Sequence, residues 1–387
     1  MPNLRPPQVT RRAFTAWSFA PLLLALRQAQ ASQAVGADAR LIGTVPFDLP
    51  RGAAPLGELL GSGLDARLFT DLASLDVAQP ITPSPKFFIR TAASPHLPSA
   101  PWRVQIGGLT NTQLSFGVDE LARMAAPAGT HLLECAGNAA AASFGLISAA
   151  SWDGVPIGAL IDRVGAKSSA SHLFVSGFDD METPTRTSVP GASWIFSRDD
   201  LVRAKAFLAV RMNGGPLPAD HGGPVRLVVP GWYGCCCIKW VDRIELVDRN
   251  QPITSQMREY AARTHQNALP ERARDYEPAV IDAAAMPVRV EKWMRDGRIV
   301  YRLVGILWGG AKPTNALSIR FKSGSPWTPV DECRLPPSTT SWTIWSHWWR
   351  PDAPGRYDIV LKVADPTIRT RRLDLFFYTR AVTIPDV

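Results

Sequence analysis

The chain has 387 residues, a hydrophobic content of 46%, a mean hydropathy of -0.03 and a formal net charge of +8. These values are typical of a water-soluble protein long enough for two domains. The positive charge is diffuse, which favours anionic substrates or acidic partners and argues against nucleic acid as a partner. Three of the five cysteines are consecutive, at positions 235–237, so the pattern does not predict a disulfide framework.

The N-terminus predicts an export signal. Arg11 and Arg12 precede an apolar run, Ala13–Leu26, and Ala29–Ala31 supplies the small residues of a cleavage site. Paired arginines at this position are typical of the twin-arginine route, which exports folded proteins, often with a cofactor already inserted. We expect residues 1–31 to be removed near Ala31 and the mature protein to be periplasmic. An ordinary secretory signal or a short anchor helix is the alternative.

Residues 32–85 are rich in Pro, Gly and Ala and predict an extended arm with one helix around Ala66–Leu75. Residues 86–250 contain short elements without regular βα alternation, which predicts an α+β domain. Its predicted strands are Phe87–Arg90, Trp102–Ile106, a strand that carries the thiol of Cys135 at its end, His172–Gly177, Lys205–Met212, Pro224–Val229 and Ile238–Val247, and its predicted helices are Val118–Met124 and Ile157–Val164.

Cys135 lies at the end of one of these strands, within Thr130-His-Leu-Leu-Glu-Cys-Ala-Gly-Asn138. Gly137 and Asn138 tolerate positive φ and predict a tight turn that leaves the thiol facing a cavity. A thiolate on rigid backbone is a suitable ligand for a redox-active metal. The alternative is a structural cysteine, because free cysteines are among the most buried residues.

A basic, glycine-rich segment follows later in the chain. Asp220-His-Gly-Gly-Pro-Val-Arg226 precedes one predicted strand, and another carries Lys239 and Trp240. Glycines let backbone N–H groups approach an anion, and His, Arg and Lys side chains supply charge. The segment predicts a site for a phosphate-bearing cofactor; the alternative is a set of loop residues at a solvated rim.

The pattern changes after a polar linker, residues 251–285. Residues 286–387 hold seven of the 13 tryptophans and a series of short, turn-bounded strands, which is typical of an immunoglobulin-like β-sandwich. These strands are Val288–Trp293, Ile299–Trp308, Ala316–Phe321, Ser341–Ile344, Arg356–Val363 and Leu373–Thr379. Such modules usually bind a partner or self-associate.

The chain lacks the G-x-G-x-x-G, Walker A, G-x-S-x-G, C-x-x-C and H-E-x-x-H motifs, so neither a nucleotide-dependent enzyme nor a zinc hydrolase is indicated. The haem-attachment motif C-x-x-C-H is also absent from the sequence. Any electrons released in catalysis would therefore pass to a separate partner.

Taken in order and with their spacing, the motifs across residues 86–248 resemble the sulfite oxidase family of molybdenum enzymes. The matching segments are Glu134-Cys-Ala-Gly-Asn138, Trp152-Asp-Gly-Val-Pro, Met212-Asn-Gly, Asp220-His-Gly, Pro224-Val-Arg226, Val229-Pro-Gly231 and Ile238-Lys-Trp240. The resemblance implies an α+β, sulfite-oxidase-like molybdopterin domain followed by the family's C-terminal dimerisation domain.

The resemblance also implies roles for individual residues. Cys135 would be the thiolate ligand to molybdenum, beside the pterin dithiolene and terminal oxygens, and Arg90 would face the cofactor or the substrate anion. Four further residues would contact the pterin or its phosphate: Asp179, His221, Arg226 and Lys239. The implied cofactor is molybdenum–molybdopterin, the substrate a small sulfur compound, and the partners a c-type cytochrome or membrane subunit and a second copy of the chain.

The sequence departs from the family's sulfite-specific members at three positions. Ala139 and Ala140 stand where those members have arginines, and Ala92 replaces a histidine for which His96 would substitute only if the loop is rearranged. Two tyrosines are candidates for the family's active-site tyrosine: Tyr233 and Tyr260. Fewer cations weaken the capture of a small dianion such as sulfite.

Three functional interpretations follow. The leading one is oxidation of sulfite or a related sulfur compound by oxygen-atom transfer. The second is the reverse chemistry, periplasmic reduction of a sulfoxide such as methionine sulfoxide, because a less cationic pocket admits a neutral substrate. The third, of another class, is a non-catalytic exported binding protein in which Cys135 is merely buried. Cys235, Cys236 and Cys237 are interpreted as small packing residues rather than a second metal site.

Overall fold

The computed structural model describes residues 39–98, 101–181, 192–371 and 378–387. The predicted signal, residues 1–31, lies outside this part, as does most of the predicted strand Leu373–Thr379. Sheet predominates over helix in the described residues, which confirms the mixed fold expected from the sequence. None of the helices in these ranges has the length and apolar character needed to cross a bilayer.

The strands of the described residues are β1 (Arg40–Val45), β2 (Phe47–Asp48), β3 (Leu59–Leu60), β4 (Arg67–Leu68), β5 (Arg103–Gly108), β6 (Leu114–Gly117), β7 (Ala126–Glu134), β8 (Ile147–Pro156), β9 (His172–Gly177), β10 (Ser193–Ser197), β11 (Phe207–Met212), β12 (Gly215–Pro216), β13 (Arg226–Val228), β14 (Val241–Val247), β15 (Ala284–Arg295), β16 (Arg298–Trp308), β17 (Leu317–Arg320), β18 (Thr328–Pro329), β19 (Glu332–Cys333), β20 (Thr343–Trp349), β21 (Gly355–Val363) and β22 (Arg380–Ile384). The α-helices are α1 (Val118–Met124), α2 (Ile157–Val164), α3 (Arg198–Arg203) and α4 (Ser255–Tyr260).

Residues 103–247, which we call the first half of the chain, form one mixed and one antiparallel sheet. One has the order β10-β9-β14-β5-β6, in which β14 and β5 are parallel, and the other has the order β12-β11-β8-β7, with β13 pairing β11. Helix α2 packs its buried face, which includes Leu160 and Ile161, into the core because apolar residues recur at helical spacing. The sheets position the ends of β7 and β9 and the start of β14 near one another, and these ends carry the site described below.

The second half forms two further sheets, β1-β15-β16-β20-β19 and β18-β17-β21-β22-β2, which we call the C-terminal sheet pair. Aromatic side chains join the two sheets: Trp349 of β20 stacks on Phe321 with ring centres 4.1 Å apart and meets Tyr357 of β21 edge-on at 4.7 Å. Strands β1 and β2 come from the predicted N-terminal arm, so this segment is part of both sheets. A continuous cluster of buried apolar side chains connects the sheet pair with the first half of the chain.

Several predicted elements differ from those observed. The predicted helix Ala66–Leu75 is wrong: β4 occupies its start, and only a single 3-10 turn, Leu72–Ser74, is helical. The predicted strand Phe87–Arg90 is reduced to an isolated bridge, in which Leu68 and Ile89 exchange two 2.9 Å backbone hydrogen bonds. This tertiary pairing competes with local helix propensity and overrides it.

The sheet pair depends on a close approach of backbone and side chain at Gly305. A Cβ atom at this position would lie 2.2 Å from Cε2 and Cζ2 of the fully buried Trp345 and 2.5 Å from the carbonyl oxygen of Met286. We therefore expect Gly305→Ala to lower the free energy of unfolding, measured by urea denaturation, by about 1–3 kcal/mol or more through overpacking. Gly43→Ala in β1 is the control, because a Cβ there meets nothing within 4 Å. Equal stability of the two variants would contradict the expectation.

Candidate active site

A pocket with about 840 Å³ of space not filled by atoms, including the part open to solvent, brings together most of the predicted site residues. Five of the six line it: Arg90, Cys135, Asp179, Arg226 and Lys239. The sixth, His221, lies just behind the lining. The residues come from segments far apart in sequence, and the sheets bring them to one place.

Cys135 follows β7 directly and its side chain faces this pocket, as the sequence predicted. Its backbone N–H donates to the carbonyl oxygen of Leu146 at 2.9 Å, and its own carbonyl accepts from the backbone N–H of Asn138 at 2.9 Å, which closes a turn. Burial raises the pKa of the Cys135 thiol, while a contact from the Gly137 N–H to Sγ at 3.4 Å and the positive charge of Arg90 lower it. The thiolate therefore gains stability when positive charge, such as a metal ion, is placed beside it.

The expected role of positive φ in this turn is wrong. Positive φ occurs further on, at Ser143 and Phe144, and not at Gly137 or Asn138. A Cβ at position 137 would lie 3.2 Å from Nη1 of Arg263, a tight contact that a small shift of this side chain would relieve. Asn138 instead stabilises the turn through its side chain, which accepts from the Leu146 N–H at 3.1 Å.

Two cations also line the pocket, the buried Arg226 and the half-buried Lys239. Arg226 is 4% exposed and donates from Nη1 to the His221 carbonyl oxygen at 2.9 Å, whereas its buried Nε has no hydrogen-bond partner among the described residues. Lys239 donates from Nζ to the carbonyl oxygens of Thr91 at 2.5 Å and Asp220 at 2.6 Å. Burial lowers the pKa of Arg226 to about 10 and, with repulsion from Arg226, that of Lys239 to about 7. An anion bound here would offset both penalties.

Backbone shape holds Lys239 in this position. Gly222 has a φ of 101°, in the left-handed region, and a Cβ there would lie 2.9 Å from Cγ of Lys239. His221 contacts Ser84 through Nε2 at 2.8 Å and is 4% exposed. Burial, then the neighbouring Lys239, lower the pKa of His221 to about 4, so the imidazole is neutral near pH 7.

Helix α4 supplies pocket residues to which the sequence analysis gave no role or only a candidate one. Gln256, Glu259 and Tyr260 line the pocket, and Gln256 donates to the Cys235 carbonyl oxygen at 2.6 Å. Of the two candidate tyrosines, Tyr260 lies in the pocket with Cys135, whereas Tyr233 does not line it. Glu259 and Tyr260 follow Gln256 by three and four residues, so the three polar side chains lie on one helix face. This spacing is the sequence signal that could have predicted their place in the pocket.

Arg263 follows α4 and approaches Cys135 across the turn. A Cβ at Gly137 would lie 3.2 Å from Nη1 of Arg263 and 3.8 Å from Sγ of Cys135, so these two atoms are at most about 7 Å apart. The guanidinium also lies over the ring of Tyr260 at 5.7 Å. Arg263 thus brings a positive charge close to the Cys135 turn, where Ala139 and Ala140 provide none.

Cys235, Cys236 and Cys237 are all free and buried. Cys235 and Cys237 line the pocket, while Sγ of Cys236 lies 4.0 Å from Sγ of Cys235. Within the described ranges, no group of three or more His, Cys, Asp or Glu side chains is arranged to hold a metal ion. His96, the proposed substitute for the histidine replaced by Ala92, does not line the pocket.

These residues fit a molybdopterin cofactor. A single thiolate can coordinate a metal whose other ligands come from the cofactor. The unpartnered Nε of Arg226 and the ammonium group of Lys239 are suited to phosphate oxygens. Asp179, which is 7% exposed, supplies a carboxylate that can accept from pterin N–H groups.

Comparisons with known proteins agree with this chemistry. Residues 91–254 match the model of the oxidoreductase molybdopterin binding domain. Mitochondrial sulfite oxidase of Mus musculus is 29% identical over 289 residues, which cover 68% of this chain and 52% of that protein. The protein-methionine-sulfoxide reductase catalytic subunit of Ralstonia nicotianae is 30% identical over 158 residues, 39% of this chain and 45% of the relative. This chain thus spans about half the length of the curated relatives it matches.

The crystal structure of the sulfane dehydrogenase SoxCD from Paracoccus pantotrophus shares the fold, with a TM-score of 0.65 and 21% identity over 88% of this chain and 94% of that one. Residues 91–254 therefore contain a molybdopterin-binding domain of the type found in oxidoreductases. The chain is thus similar to the sulfite oxidase family of these enzymes. The matched domain argues against the interpretation as a non-catalytic binding protein.

The neutral state of His221 predicts a pH dependence of stability. The pKa of His221 in the folded protein, about 4, lies below its ordinary value of 6.5, so the unfolded chain binds the extra proton as the pH falls. The free energy of unfolding should therefore decrease as the pH falls from 6.5 to about 4, by up to about 1.4 kcal/mol per pH unit. We expect His221→Gln to remove this slope from unfolding curves of the cofactor-free protein, whereas His96→Gln, at an exposed position, should retain it. The same pH dependence of the free energy of unfolding in His221→Gln and the unmodified protein would contradict the lowered pKa of His221.

Proposed function

We propose that this protein is an exported molybdenum-cofactor oxidoreductase that transfers an oxygen atom in the oxidation of sulfite or a related small sulfur compound. The observation that carries the proposal is the position of the Cys135 thiol in one pocket with Arg90, Arg226 and Lys239. When bound, the cofactor would supply the two-electron oxygen-transfer chemistry that amino-acid side chains do not provide.

The side chains of the pocket divide the remaining tasks. Arg226 and Lys239 would bind the cofactor phosphate, and this interaction would offset the free-energy cost of removing the two cations from water. Asp179 would orient the pterin, and His221, which is neutral, would support this wall without adding positive charge. Cys135 would coordinate the metal, and Arg90 would direct an anionic substrate towards it.

A second cation favours an anionic sulfur substrate. Arg263 lies within about 7 Å of Sγ of Cys135, close enough for its charge to act on an anion bound at the metal. It would replace part of the positive charge missing at Ala139 and Ala140. An oxyanion such as sulfite would then be attracted by both Arg90, which lines the pocket, and Arg263.

Reduction of a sulfoxide is the second candidate function. The carboxylate of Glu259 also lines the pocket, and a negative charge there disfavours a dianion relative to a neutral or zwitterionic substrate. The match to a methionine-sulfoxide reductase subunit also supports it. Reduction of the metal centre by sulfite, against its reoxidation by a sulfoxide, distinguishes the two directions.

Cellular location, assembly and domain division are part of the same proposal. The twin arginines support export and cleavage near Ala31, with residues 32–85 as the arm, 86–250 as the catalytic domain and 251–285 as the linker. Residues 286–387 would form an immunoglobulin-like β-sandwich that mediates homodimerisation. Electrons would pass to an external acceptor such as a c-type cytochrome or a membrane subunit.

The metal assignment is tested by elemental analysis of protein made in a host that synthesises molybdopterin. We expect about one molybdenum per chain, and we expect Cys135→Ser to lose activity and the visible absorption of the cysteine-bound metal. Cys236→Ser is the control, because Cys236 is buried but does not line the pocket. Absence of molybdenum, or an unchanged spectrum in Cys135→Ser, would contradict the proposal.

The role of Arg263 is tested by steady-state kinetics with sulfite. Removal of one partly screened charge close to the substrate should raise KM about fivefold to tenfold in Arg263→Gln. Arg258 and Arg263 are both exposed and outside the pocket lining, but only Arg263 approaches the Cys135 turn, so Arg258→Gln should leave KM unchanged. The same KM for both variants would show that Arg263 does not contribute to substrate binding.

A further inference from the structure

A buried carboxylate immediately precedes Cys135. Glu134 is the last residue of β7 and has no exposed surface. Its Oε2 accepts from the indole N–H of Trp308 at 2.8 Å. Its Oε1 accepts from the hydroxyl group of Tyr378 and, at 3.4 Å, from the side-chain amide of Asn138. Both oxygens therefore have donors.

Two of these donors belong to the C-terminal sheet pair. Trp308 is the last residue of β16, and Tyr378 lies two residues before β22. Their rings pack edge-on with centres 5.2 Å apart, which fixes both donors relative to each other. The third donor, Asn138, closes the Cys135 turn. Glu134 thus joins the turn to the second half of the molecule.

A second contact joins Ala136, the residue after Cys135, to the C-terminal half of the chain. Arg371 donates from Nη2 to the carbonyl oxygen of Ala136 at 2.8 Å, and its guanidinium lies over the ring of Tyr233 at 4.9 Å. The residues before and after the cysteine are therefore both bonded to the C-terminal half of the chain.

Stability alone does not account for a carboxylate in this place. Burying a carboxylate is costly, and apolar residues of similar volume commonly stabilise a core equally well or better. Hydrogen bonds differ from apolar contacts in being directional, so they fix the orientation of the groups they join. Successive side chains of an extended strand point to opposite faces, so Glu134 holds the backbone from the side opposite to the thiol of Cys135.

We propose that Glu134 is a positioning residue, which fastens the Cys135 turn to the C-terminal sheet pair and so fixes the direction of Sγ in the pocket. The inference rests on the proposed role of Cys135 as the metal ligand. It makes the C-terminal sheet pair part of the active-site framework, in addition to any role in self-association.

A matched pair of tryptophan substitutions tests this inference. The indoles of Trp308 and Trp342 each donate one 2.8 Å hydrogen bond, to Glu134 and to the Pro80 carbonyl oxygen respectively. Their exposures are also similar, 2% and 5%. Trp308→Phe and Trp342→Phe therefore remove similar bonds, and thermal unfolding of both variants measures the shared loss of stability.

The first readout is the rate at which iodoacetamide alkylates Cys135 in the cofactor-free protein, resolved by peptide mass spectrometry. Loosening of the turn should raise this rate about fivefold to tenfold in Trp308→Phe and less than about twofold in Trp342→Phe. Equal rates in the two variants would overturn the inference. If Trp308→Phe does not fold, Tyr378→Phe takes its place, with Tyr357→Phe as the control, because the Tyr357 hydroxyl bonds Ala353 at 2.7 Å and not Glu134.

The second readout uses the cofactor-loaded enzyme. In Glu134→Ala, a displaced Sγ should shift the visible absorption of the cysteine-bound metal and lower kcat with little change in KM. Glu134→Gln keeps one acceptor oxygen, so both effects should be smaller in this variant. An unshifted spectrum in Glu134→Ala would overturn the inference. Absence of molybdenum would contradict the proposed function, and the alkylation rates would then decide the role of Glu134 by themselves.

Discussion

The constraint on which this structure depends is the presence of largely buried positive charge and a buried thiol in one pocket. Arg226 is almost fully removed from water with Nε unpartnered among the described residues, and Lys239 relies on two carbonyl oxygens for its hydrogen bonds. Burial opposes the charged forms of both cations and of the Cys135 thiolate. A ligand that combines negative charge with a metal ion relieves all three penalties together, which is what molybdopterin offers.

The scaffold meets this constraint by assembling the pocket from the ends of elements rather than from one motif. Cys135 directly follows β7, Arg226 is the first residue of β13, and Lys239 lies in the turn before β14. Backbone hydrogen bonds hold these points in place, from Cys135 to Leu146 and from Trp240 to Gly222. Helix α4 then contributes Tyr260 and closes one side of the pocket.

The two halves of the chain are not independent in this arrangement. The N-terminal segment adds β1 and β2 to the C-terminal sheets, and one apolar cluster runs through both halves. Glu134 adds directional bonds at the point where the halves meet next to Cys135. Packing supplies most of the stability of such a contact, and the polar bonds supply its geometry.

The sequence by itself determined the elements and residues that depend on local pattern. Helices α1 and α2, strand β9 and the thiol after β7 follow from periodicity and turn chemistry, which act over a few residues. Only the tertiary structure decided the rest. Tyr260 joins the pocket only when folding brings α4 over it, and Glu134 gains two of its three donors, Trp308 and Tyr378, from positions more than a hundred residues away. Contacts of this kind depend on how strands pair across the whole chain, and no local pattern encodes them.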